Sequence, residues 1–135
     1  MSASVEVVRL APGMDLRVEL TRLARDLEAA FILSGIGSLD PAALRFAGKP
    51  EATILRGDYE ILTLAGTLGM GGVHLHMSVS DAQGRVLGGH VAAGSIVRTT
   101  AEIVIGRAEG WIFERADDPQ TGYRELAPRQ RNGLK

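Results

Sequence analysis

Hydrophobic positions in this chain first repeat at strand spacing, then at helical spacing, then return to strand spacing for most of its length. Val5–Leu10 is a short apolar run that predicts a strand, and Pro12-Gly13 closes it with a turn. Leu16, Leu20, Leu23, Ala24 and Leu27 then fall at i, i+4, i+7, i+8 and i+11, one face of an α-helix. Asp15 is placed to cap it, and Arg17, Arg22, Arg25 and Glu28 fall on its wet side. The next segment, AAFILSGIGSL, predicts a buried strand running into a glycine turn at Gly35 and Gly37. Ala43–Phe46 predicts a further short strand, and residues 48–58 a loop. From Tyr59 onward YEILTLAGTL, VHLHMSVS, RVLGGHV, SIVRTTAEIVIG and WIFER predict strands joined by hairpins. One long helix among many strands gives an α+β class with a mainly antiparallel sheet. The last residues, PRQRNGLK, are polar and basic and read as a frayed tail.

Composition narrows the class of function. The chain has 135 residues, which suits one domain with a real core. It has no cysteine, so no thiolate can serve as nucleophile or metal ligand. The opening MSASVEVVRLAPG lacks the pattern of a signal peptide, and no apolar run approaches the ~20 residues of a membrane span. A cytoplasmic location, with no membrane partner, is therefore expected. The formal net charge is −1, which argues against strong non-specific binding to nucleic acid. Thirteen of the fifteen basic residues are arginine, interleaved with acids, and read as a solvated mixed surface.

The candidate chemistry sits in GVHLHMSVSDAQGRVLGGHV, residues 72–91, which holds all three histidines: His74, His76 and His90. Alternation puts His74, His76, Ser78 and Ser80 on one face of a strand and Val73, Leu75, Met77 and Val79 on the other. Asp81-Ala82-Gln83-Gly84 predicts a type I turn followed by a left-handed glycine, the common three-residue hairpin loop. In that register His76 faces His90, and all three imidazoles share a face. A slip by one residue would bury His90 and reverse every side chain of its strand. Gly88 falls across from Ser78 and leaves room. Three converging imidazoles suit zinc or another divalent transition metal, with a position left for water, a small anionic ligand or a further side chain. Glu102 is a candidate for that fourth position.

The same residues carry a family resemblance. GDYEILTLAGTL, then G-V-H-L-H-M-S-V-S-D-x-x-G-R-V-L-G-G-H, G-S-I-V and T-A-E-I-V-I-G resemble the signature of the plants and prokaryotes conserved (PPC) domain. VVRLAPGMDL with the helix and AAFILSGIGSL is similar to that family's first half, and R-x-x-D-P-x-T-G-Y-x-E-L to its bacterial endings. The match runs over about residues 5–127, so residues 1–127 are expected to form one PPC-like domain, with 128–135 as the tail. The resemblance implies a compact sheet flanked by a few helices, a homotrimer, and a zinc-like ion at His74, His76 and His90. It also implies a DNA-binding label. The AT-hook that joins plant members to DNA has no counterpart in PRQRNGLK, which lacks an Arg-Gly-Arg-Pro core.

Three function classes follow. The preferred one is a trimeric metal-holding binding protein, with DNA or protein as partner. A metal-dependent hydrolase is the alternative, with Glu102 or Glu60 as general base to a metal-bound water. A purely structural histidine cluster at a subunit interface is the third. The Arg56-Gly57-Asp58 tripeptide reads as a turn, and neither Gly35-Ile36-Gly37 nor Gly69–Gly72 has phosphate-loop spacing.

Overall fold

The structure is a computed structural model that describes residues 4–132. Strand β1 (Val5–Leu10) leads into helix α1 (Leu16–Ala24), followed by β2 (Ala29–Leu39), β3 (Ala42–Arg45) and β4 (Thr53–Leu55). Then come β5 (Tyr59–Gly69), β6 (Gly72–Ser80), β7 (Val86–Val91), β8 (Val97–Arg107), β9 (Trp111–Asp118) and β10 (Tyr123–Gln130). Eight strands form one antiparallel sheet in the order β1-β8-β2-β5-β6-β7-β3-β4, and β9 and β10 form a separate hairpin.

The helix forms where the leucine spacing places it. Leu16, Leu20 and Ala24 are buried, and Leu27 just beyond its end is buried too. These side chains pack on one face of the sheet, against Leu64, Leu68, Leu75, Met77, Ile103 and Ile105. Asp15 caps the helix as expected: its Oδ1 accepts from the Val18 N–H at 3.1 Å. Its Oδ2 accepts from the Gly94 N–H at 2.7 Å, which ties the helix to the segment between β7 and β8. Asp15→Ala removes both bonds and is expected to cost about 2 kcal/mol in urea unfolding. Asp15→Asn, which keeps an acceptor oxygen, should lose less.

Several expectations are corrected. Among the described residues α1 is the one helix, so the few short flanking helices implied by the resemblance are not there. Gly35 and Gly37 lie inside β2, not in a turn, and they are small because neighbours press on them. A Cβ on Gly35 would stand 2.8 Å from Leu64 Cβ, and one on Gly37 would meet the Thr100 carbonyl oxygen. The 48–58 loop contains β4, paired to β3. β10 runs on through Pro128–Gln130 in register with β9, so the strand extends into the expected tail. Residues 133–135 of that tail lie outside the described residues. Among the described residues no helix is long and apolar enough to cross a membrane.

Candidate metal centre

The 81–85 turn sets the register of the site. Gly84 has φ +80, and its N–H donates to the Asp81 carbonyl at 3.0 Å. Asp81 Oδ1 accepts from the Gln83 and Arg85 N–H groups, both at 2.9 Å. The glycine-bulge hairpin follows: Val79 opposes Leu87, Ser78 opposes Gly88 and His76 opposes His90. Leu75, Met77, Val79 and Val91 turn into the core. Leu87, at the outer end of the hairpin, stays partly exposed.

The three histidines come together on the opposite face. His76 Nε2 and His90 Nδ1 are 3.1 Å apart, and one ligand nitrogen from each of the three lies within 4.8 Å of the others. The ring centroids of His74 and His76 are 4.9 Å apart, and those of His76 and His90 4.4 Å. A cation bonded at ~2.0–2.1 Å holds its ligand nitrogens within about 4.2 Å of one another. The widest gap therefore closes by small side-chain rotations, and the donor set fits a divalent transition metal.

Partial burial pushes the His74 and His90 pKa values below the ordinary 6.5, although both rings border open space. The rings crowd one another, so each loses water on the side facing its neighbours. The Arg115 charge lowers His74 further and Glu125 opposes it, while Arg45 lowers His90. Both shifts favour the neutral imidazole, the form that binds a metal. The sign is that of a depressed base: ligation is favoured above pH 6.5 and lost as pH falls through the lowered folded values. A pH series of metal occupancy by equilibrium dialysis should stay flat near neutrality and fall on the acid side of 6.5.

Neither predicted carboxylate stands beside the trio. Glu102 lies on β8, which pairs with β1 and β2, three strand spacings or ~14 Å from β6. The chain after β7 crosses the sheet instead of adding the adjacent strand, which is why chain order misleads. Glu60 opposes Ser80, four positions beyond His76 along β6, or ~13 Å away. The carboxylate that does face the trio is Glu125 on β10, across a cleft of about 910 Å³.

That cleft also corrects the expectation of scattered arginines. Arg45 and Lys49 form one wall beside His90, and Arg115, Tyr123 and Arg124 of the β9–β10 hairpin form the other beside His74. Arg17, expected on the wet side of α1, is half-buried, and its Nη1 donates to the Val91 carbonyl at 3.3 Å. The hairpin is held over the site by Arg115 Nη2, which donates to Thr67 Oγ1 at 2.9 Å. WIFERADD carries a strand signal, but nothing local shows that its arginine returns to the histidines.

The family model of the Plants and Prokaryotes Conserved (PCC) domain matches residues 2–109. This chain belongs to that family, the one abbreviated PPC above. The PCC chain is 50% identical over 127 residues to the bifunctional protein GlmU of Synechococcus sp. (strain JA-3-3Ab), covering 93% of this chain and 20% of that protein. It thus spans about a fifth of the length of the curated relatives it matches. A hypothetical protein from Salmonella enterica has a solved structure similar to this one, with a TM-score of 0.92, 41% identity and 96% of each chain covered. A metal-containing protein from Archaeoglobus fulgidus matches with a TM-score of 0.80 and 27% identity, over 92% of this chain and 93% of that one.

Proposed function

We propose that this PCC domain is a cytoplasmic homotrimeric binding protein that holds a divalent, zinc-like metal between His74, His76 and His90. The observation that carries the reading is the convergence of three ligand nitrogens within 4.8 Å on one hairpin. The similarity to a metal-containing archaeal protein supports it. The metal, when bound, supplies a Lewis-acidic position open to a ligand from the cleft. The chain's residues orient it: the Gly84 turn fixes His90 opposite His76, and Arg115 holds the hairpin over His74. Metal analysis of tag-free full-length protein tests the reading, with about one equivalent per chain expected and none contradicting it.

The trimer is supported by an apolar sheet face. Val5, Val7, Phe31, Leu33 and Ile36 are exposed on the face opposite α1, Val7 at 77%. The register links this patch to the site, because Val5, Gly106, Phe31, Thr67 and His74 form one row across five strands. A monomer rarely leaves so continuous an apolar face in water. Light scattering should give three times the 14.3 kDa chain mass for the wild type and the single-chain mass for Leu33→Asp. A wild-type monomer would contradict the assembly. DNA binding stays with the family's label: a net charge of −1 offers no cationic excess for a phosphate backbone.

A further inference from the structure

Six arginines among the described residues, Arg9, Arg17, Arg25, Arg45, Arg56 and Arg115, form no ion pair, and three of the six gather around the histidines. Among the described residues every ion pair formed by an arginine uses Arg22, Arg85, Arg98, Arg107, Arg124, Arg129 or Arg131. Arg17, Arg45 and Arg115 are in none of them. Each donates instead to a neutral oxygen: Arg17 to the Val91 carbonyl, Arg45 to the Lys49 carbonyl at 3.2 Å, and Arg115 to Thr67 Oγ1. These bonds aim the guanidiniums without neutralising them.

The three cations flank the trio on two sides. Arg17 and Arg45 share a hollow of about 330 Å³ with His74 and His90. Arg115 shares another, of about 210 Å³, with His74 and His76. Both border the larger cleft, whose volume suits a small molecule. Among the described residues Glu125 is the one carboxylate on its wall, against Arg45, Lys49, Arg115 and Arg124, and Arg124 is already paired with Asp117. An uncompensated set of planar forks around an open position is the arrangement that binds carboxylate or phosphate oxygens.

We infer that this cleft binds a small dianionic ligand, a dicarboxylate or a phosphate-bearing molecule, held by Arg45 and Arg115 with Arg17 beside them. One anionic oxygen points toward the open position at the histidines. The inference rests on the metal reading for that last contact only.

Calorimetric titration of the full-length chain, zinc-loaded and metal-free, with inorganic phosphate and with succinate tests this at physiological salt. The zinc-loaded chain should bind at least one probe. Arg45→Gln and Arg115→Gln should each weaken it about tenfold, and Arg45→Gln should leave zinc content unchanged. Arg56→Gln, outside the cleft, should bind as the wild type does. Preference for phosphate or for succinate identifies the ligand's anionic group, and either supports the site. Arginine-dependent binding by a chain that retains no zinc supports the anion site and removes only the metal reading. Binding of neither probe, or equal binding by the wild type and both cleft variants, overturns the inference.

Discussion

His76→Ala is expected to weaken zinc binding by more than about 100-fold, because even an outer-shell partner of a metal ligand is worth 10–100-fold. His76 is the middle ligand: its ring meets His74 at 4.9 Å and His90 at 4.4 Å, and its Nε2 lies 3.1 Å from His90 Nδ1. Without it, the two remaining rings stack at 5.6 Å with no donor between them. The loss should appear in thermal unfolding as well. A metal present at about 100 times its Kd stabilises the wild type by about 2.7 kcal/mol, and the variant should show almost none of that gain. The metal-free proteins should unfold within about 0.5 kcal/mol of each other, since the side chain is exposed. A variant that melts early without metal, yet still gains stability from zinc, would assign His76 to the fold and not to ligation.

Gly66→Ala should destabilise the chain by roughly 3 kcal/mol or more, the largest stability effect expected from adding a single methyl group. Gly66 sits in β5 opposite Leu75, the residue between His74 and His76. Its φ is +147, a conformation that side chains rarely adopt. A Cβ there would collide with the His74 carbonyl oxygen and stand 2.9 Å from Leu75 Cα, both of them backbone that cannot rotate aside. For a domain of this size the melting temperature should fall by about 10 °C or more. Gly84→Ala has φ strain alone, with open space around the new methyl, and should cost less. Equal costs would mean that backbone conformation, not the close approach of β5 and β6, dominates at Gly66.

What the sequence revealed and what it hid follow from how local each signal is. The Asp81–Gly84 turn, the alternation in VHLHMSVS and the Asp15 cap each depend on a few neighbouring residues, so the histidine register and the helix could be read directly. Gly35 and Gly37 misled because glycine marks both turns and places where another chain segment presses close. Only the packing of Leu64 and Thr100 tells the two apart. Glu102 was misplaced for a topological reason, since β8 returns to pair with β1 and β2. The cationic rim was hidden for the same reason. Arg17, Arg45 and Arg115 come from a helix, a short strand and a separate hairpin, and only the folded chain gathers them beside His74 and His90.

The most direct test is an anomalous difference map from crystals of zinc-loaded protein, collected on both sides of the zinc edge. A single peak bonded at ~2.0–2.1 Å to one nitrogen each of His74, His76 and His90 is the result predicted. A map with no peak among those rings, from crystals grown with zinc in excess, would contradict the metal centre and with it the proposed role of this hairpin.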